Sequence, residues 1–145
     1  MKEPLLISAC LLGENCKYSG GNNYCAAVEQ LNERYELHPV CPERDGGLPI
    51  PRPPAERQGE RVINTEGVDV TSQYVRGAEI ALQTAKQHGC TRALLKERSP
   101  SCGHGLIDDG TFTRTLIPRS GVAAQLLEEN GIAVLGESAV SELLK

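Results

Sequence analysis

Pro4-Leu5-Leu6-Ile7-Ser8-Ala9 is a short, mostly apolar run that ends at Cys10, and a glycine-bearing loop from Gly13 to Asn23 follows it. A few apolar residues bounded by turn signals read as a buried strand. The arrangement recurs: Glu36-Leu37-His38-Pro39-Val40 leads into Cys41-Pro42-Glu43, and Ala93-Leu94-Leu95 leads into Ser99-Pro100-Ser101-Cys102-Gly103. Pro39 removes a ladder donor, which argues against a central place for the second strand unless the proline lies at the strand's end. Ile132 to Leu135 is a fourth strand of the same kind.

Helical patterns separate these runs. Cys25, Val28, Leu31 and Tyr35 recur at intervals of three and four behind Asn22 or Asn23 as a cap. Thr71 reads as the cap of a second helix whose Tyr74, Ala78, Ala81, Leu82 and Ala85 share a face, with Gly89 as its stop. Ser120 to Asn130 is a third helix, stopped by Gly131, and Ser138 caps a short last one. Leu106-Ile107 and Thr111 to Thr115 flank Asp108-Asp109-Gly110, which signals a hairpin. Alternating strands and helices predict an α/β fold with helices on both faces of a parallel sheet. The expected architecture is a single domain over 1–145, three-layered and Rossmann-like or flavodoxin-like, with about four strands and a small β-hairpin flap. The connection at about 44–68 holds Pro49, Pro51, Pro53 and Pro54 among several glycines, and reads as an ordered, proline-rich site loop.

Composition narrows the function classes. The chain has 145 residues, a formal charge of −4, no tryptophan and one phenylalanine, so its core rests on aliphatic side chains. An acidic balance without a basic stripe argues against bulk nucleic-acid binding and against anionic membranes. No stretch approaches the roughly 20 apolar residues of a membrane span. Leu6-Ile7-Ser8-Ala9-Cys10 superficially resembles a lipoprotein cleavage box, but Met1-Lys2-Glu3-Pro4 lacks the charged leader that such a box needs. The expectation is a soluble, cytoplasmic protein with reduced thiols.

Six cysteines occur without any Cys-x-x-Cys pair, so zinc-ribbon and thioredoxin-type spacings are missing. Placement carries more weight than spacing. Cys10, Cys41 and Cys102 all fall at strand ends, which in a parallel sheet meet along one edge, where open α/β folds build their sites. Three convergent thiolates are one short of a closed metal site, which points to a metal or cluster with an open position. Buried spectator thiols are the plain alternative. Cys25 and Cys90 read as structural, on or beside helices, and Cys16 stays open between spectator, resolving thiol and sulfur acceptor. Glu43, two residues past Cys41, is placed to act as a general acid or base, and the hydroxyls of Ser99 and Ser101 to donate to a developing anion. His104 is left out of the site, and Arg52 and Arg57 read as solvated arginines or anion holders.

Ser8-Ala9-Cys10-Leu11-Leu12-Gly13, Cys41-Pro42-Glu43 with Gly46-Gly47-Leu48-Pro49, Pro51-Arg52, Gly67-Val68-Asp69-Val70-Thr71, Leu95-Lys96-Glu97, Ser99-Pro100-Ser101-Cys102-Gly103, Asp109-Gly110 and Gly121-Val122 together resemble a small bacterial domain family that includes the iron–sulfur thiouracil desulfidases. The resemblance implies a [4Fe-4S] cluster held by Cys10, Cys41 and Cys102, with a fourth iron open to the sulfur of a thiocarbonyl. It also implies non-redox exchange of C=S for C=O, with Glu43 moving protons and Ser101 assisting at the substrate. The expected ligand is a thiolated base or nucleoside, with a possible sulfur acceptor. Lys17-Tyr18-Ser19-Gly20 stands where many members carry an arginine and an aspartate around the tyrosine, which bears on base specificity. Two other readings remain: a cluster-free thiol or persulfide sulfur-transfer enzyme, and a zinc- or anion-binding structural module.

Overall fold

Leu5, Leu6 and Ile7 are all fully buried, which requires a strand covered on both faces. The computed structural model describes residues 2–145. In chain order it contains β1 (Glu3–Ser8), β2 (Tyr35–Val40), the short helix α1 (Pro42–Asp45), β3 (Ala55–Gln58), β4 (Arg61–Asn64) and α2 (Thr71–His88). After these come β5 (Arg92–Leu95), β6 (Ile107–Asp108), β7 (Leu116–Ile117), α3 (Val122–Glu129), β8 (Ala133–Gly136) and α4 (Val140–Leu143). Four strands form a sheet in the order β2-β1-β5-β8, and every neighbouring pair in it is parallel. The chain winds one way from β1 to β2 and the other way from β5 to β8. The crevice at the carboxyl ends of β1 and β5 is therefore a topological switch point, as in flavodoxin-like sheets.

The alternation of β1 divides the core. Leu6, with Ala93 and Leu95, packs against Ala81 and Ala85 of α2 and Ala124 and Leu127 of α3. Leu5 and Ile7, with Leu94, pack on the opposite side against Leu11, Val28, Leu31 and Leu143. Each such aliphatic side chain contributes about 1.5–3 kcal/mol on burial. The result is the expected three-layer α/β arrangement. Pro39 sits opposite Ile7 on β2, an edge strand of the sheet, where its missing donor is tolerated. No helix among the described residues is long and apolar enough to cross a membrane.

Several elements differ from their sequence-based expectation. The helix over Ala26–Glu33 is a 3-10 helix; Val28 and Leu31, three apart, superimpose along its axis and are both buried. The proline-rich connection is not structureless, because β3 and β4 pair antiparallel within it. The flap exists, but β6 pairs with Leu116–Ile117, not with Thr111–Thr115. The buried Glu56 accounts for this: its Oε1 accepts the N–H groups of Gly110 and Phe112 at 3.0 Å each, which opens the turn into a longer loop. Thr71 is the first residue of α2, not its cap; its hydroxyl accepts the Val62 N–H at 2.8 Å. Ser138 lies inside a 3-10 turn, where its hydroxyl donates to Glu97. Gly89 does close α2, with a φ of 71°.

Candidate active site

The three strand ends converge as the sequence implied. Cys10 lies in a 3-10 turn directly after β1, Cys41 is the residue between β2 and α1, and Cys102 lies within the loop between β5 and β6. Together with Glu43 and Ser101 they line one cavity of about 620 Å³, a size suited to a small aromatic ligand. Its rim holds Arg98, Phe112 and Arg114, the non-glycine residues with positive φ among those described. Such backbone costs on the order of 1–3 kcal/mol per residue and collects at functional sites.

Each wall is fixed by local bonding. The Cys41 N–H donates to Asp45 Oδ2 at 3.0 Å, across one turn of α1. The loop before Cys102 docks on the start of α3: the carbonyl of Pro100 accepts from Val122, and that of Ser101 from Ala123 and Ala124. Those are the amides a helix leaves unpaired at its start, so the loop replaces a side-chain cap. A Cβ on Gly121 would lie 2.5 Å from the Ser101 carbonyl, so this close approach depends on glycine. Ser99 Oγ accepts the N–H groups of Ser101 and Cys102 at 3.1 and 3.0 Å and stands 3.5 Å from Glu43 Oε2. Ser99 thus shapes the loop, and the Ser101 hydroxyl accepts from the Cys102 thiol at 3.9 Å; both serines line the cavity, with Ser101 fully buried.

Glu43 is held from several sides. Arg52 Nε donates to its Oε1 at 2.9 Å, and the two side chains are only 4 % and 15 % exposed. The same guanidinium donates to the carbonyls of Cys16 and Pro49. Tyr74 of α2 also lines the cavity. Burial, followed by the charge of Glu43 and a hydrogen bond to it, holds the Tyr74 phenol protonated. Neither Arg52 nor Tyr74 is among the site residues to which the sequence points. Tyr74 falls on the apolar face of α2, although a phenol within an alanine-rich stripe does signal a need for a polar partner.

The thiols differ sharply in acidity. Burial pushes Cys102 up to about 12, against a hydrogen bond from Ser8. Burial also raises Cys10, against a hydrogen bond from Asn23. Cys41 is lowered to about 7, first by a hydrogen bond from the Cys16 thiol, then by the Arg44 amide and the Arg52 charge, against its own burial. Cys16 is raised by the same hydrogen bond and stays protonated. Ionised Cys10, Glu43 and Cys41 each oppose ionisation of Cys102, so binding a metal through these sulfurs would displace protons.

No three described His, Cys, Asp or Glu side chains converge on a single ion position. Sulfurs sharing one zinc at about 2.3 Å each would lie within roughly 4 Å of one another. Cys10, Cys41 and Cys102 line one cavity without meeting at one ion position, and soft thiolate donors of this kind suit a thiophilic iron–sulfur group.

The remaining candidates fall elsewhere. His104 stands outside the cavity lining, 3.2 Å from Glu128. Arg57 is buried and donates to the carbonyls of Gly59 and Ser120. Cys25 and Cys90 belong to the two core faces.

A family model described as 2-thiouracil desulfurase matches residues 5–139. The chain is 38 % identical over 150 residues to the uncharacterized protein YbbK of Bacillus subtilis (strain 168), covering 97 % of this chain and 99 % of that one. A solved structure of a [4Fe-4S]-dependent thiouracil desulfidase, TudS (DUF523Vcz), superposes with a TM-score of 0.92 at 43 % identity. That match covers 99 % of this chain and 96 % of the other.

Proposed function

This chain belongs to the 2-thiouracil desulfurase family of enzymes, and on that premise we propose that it converts the C=S of a thiolated pyrimidine to C=O in the cavity described above. The net reaction consumes one water and yields one hydrogen sulfide, with no change in oxidation state. The observation that carries the reading is the meeting of Cys10, Cys41 and Cys102 with a clamped carboxylate, Glu43, around one cavity.

Cys10, Cys41 and Cys102 would hold a [4Fe-4S] cluster, the cofactor printed in the name of the TudS relative. When bound, such a cluster supplies a soft Lewis-acidic iron, without a protein ligand, for the thiocarbonyl sulfur. The residues do the remaining work. Glu43 takes a proton from the water that attacks the ring carbon and returns it to the departing sulfur or to the ring nitrogen. Arg52 fixes the orientation of that carboxylate, and the protonated Tyr74 phenol is a hydrogen-bond donor to it. The Ser101 hydroxyl donates to negative charge that develops at the ring. Ser99 acts on the loop that presents Ser101 and Cys102. The stretch at about 44–68 serves as a site loop, with Arg52, Ala55, Glu56 and Thr65 in the cavity wall. A cavity of this size admits a free base or a nucleoside, and six unpaired cysteines support a reducing compartment, such as the cytoplasm, as its location.

The test is anaerobic purification and reconstitution, assay of iron and acid-labile sulfide, and conversion of 2-thiouracil to uracil. About four irons and four sulfides per chain are expected. Serine at position 10, 41 or 102 should remove iron and activity together, whereas Cys25→Ser and Cys90→Ser should keep both. Full activity after iron removal would favour a persulfide enzyme, and a colourless protein with stoichiometric zinc would favour a structural module.

A further inference from the structure

Cys16 has no part in the chemistry above, yet it is buried at 1 % exposure against the site. The thiols around the cavity differ in their partners. Cys10 is hydrogen-bonded by Asn23 and Cys102 by Ser8, whereas the side chain of Cys16 meets that of Cys41. The Cys41 Sγ also lies 3.6 Å from the Cys16 carbonyl oxygen. The backbone here is tied in place. Cys16 N–H donates to the Glu14 carbonyl at 2.9 Å, Arg52 N–H to the Tyr18 carbonyl at 2.8 Å, and Arg52 Nη2 to the Cys16 carbonyl at 2.9 Å.

We propose that Cys16 and Cys41 are a hydroperoxide-modifiable pair, which closes to a reversible disulfide once the site has lost its iron. The proposal rests on the reading of Cys41 as a cluster ligand. Access sets the order of events. Cys41 is half-buried and lines the cavity, where a small peroxide enters, whereas Cys16 borders the same cavity with only 1 % of its surface exposed. Cys41 attacks hydrogen peroxide; an S–O bond forms, the O–O bond breaks, and one water leaves with the thiol proton. Cys16 then attacks the sulfenic sulfur; the S–S bond forms, the S–O bond breaks, and the second water leaves. Two thiols are oxidised by two electrons and one peroxide becomes two waters. The product keeps Cys41 from the irreversible sulfinic state and withholds it from iron until a dithiol reduces the bond.

The experiment starts from full-length protein loaded without oxygen and titrated with hydrogen peroxide. Loss of visible absorbance is followed by thiol blocking and non-reducing peptide mapping, with cleavage after Glu14 to separate Cys10 from Cys16. As the colour disappears, a Cys16–Cys41 linked peptide should become the main product, and dithiothreitol with iron and sulfide should restore the spectrum. In Cys16→Ser, Cys41 should end as sulfinic acid, and recovery of iron should fall several-fold. A link from Cys41 to Cys10 or Cys102, or sulfinic Cys41 beside free Cys16 in the unmodified sequence, overturns the proposal without recourse to any variant. The iron content of Cys41→Ser separates the two claims. If that protein still holds four irons, the ligand reading fails, and with it the withholding of Cys41 from iron, while a mapped disulfide stands.

Discussion

At the scale of the residue, the balance between Glu43 and Arg52 decides the chemistry. A carboxylate at 15 % side-chain exposure would be costly alone, and Arg52 both compensates its charge and aims it. Glu43→Gln retains an acceptor for Arg52 but not a proton carrier, so iron content should stay at the wild-type level while kcat falls by about 10²–10⁴-fold. Loss of iron in that variant would make Glu43 structural. The thiols give a second check, in protein stripped of iron. Thiolate is the nucleophile, and Cys41 is lowered to about 7 whereas Cys102 stands near 12 and Cys10 is raised. Labelling of Cys41 by iodoacetamide should therefore climb as pH rises through about 7 and level off above it. Cys10 and Cys102 should stay unlabelled over the same range, and equal labelling of all three would contradict the hydrogen bond from Cys16.

At the scale of the element, α1 matters beyond its four residues because it carries Glu43 and follows Cys41 directly. It reaches its place through the close approach of two glycines. A Cβ on Gly77 of α2 would stand 1.8 Å from the Pro42 carbonyl oxygen, and one on Gly46 would stand 2.0 Å from that of Gln73. Helix propensity alone makes Gly77→Ala stabilising by about 1 kcal/mol. Contact reverses the sign, because backbone cannot move aside as a flexible side chain does, and overpacking costs about 1–3 kcal/mol. Thermal unfolding should shift down by several degrees. Turnover should fall further than stability, since the displaced element bears the proton carrier. An unchanged or raised melting temperature would show that α1 yields without strain.

At the scale of the whole molecule, the apolar layers on the two faces of the sheet are continuous without help from any bound group. Iron removal should thus abolish thiouracil turnover while leaving the far-UV circular dichroism within about a tenth of its starting amplitude. Collapse to a coil spectrum would mean that the cluster is a folding ligand, as zinc is in small metal-built domains. The four strands of the sheet, their parallel sense and the thiols at their ends were legible in the sequence, because burial on both faces writes itself as short apolar runs and a strand's end is marked by what stops it; the strand order, which separates a flavodoxin-like from a Rossmann-like sheet, came from the structure. The motif residues carried Glu43 and the family resemblance in the same local way. Tertiary structure alone decided that Arg52 clamps Glu43 across the proline-rich stretch, that Tyr74 turns a phenol from a helix face into the cavity, and that Cys16 touches Cys41. It also decided that Glu56 opens an Asp-Gly turn into a loop. Each of these joins groups from separate elements, and a contact between side chains distant in sequence leaves no periodicity, spacing or local propensity along a single chain.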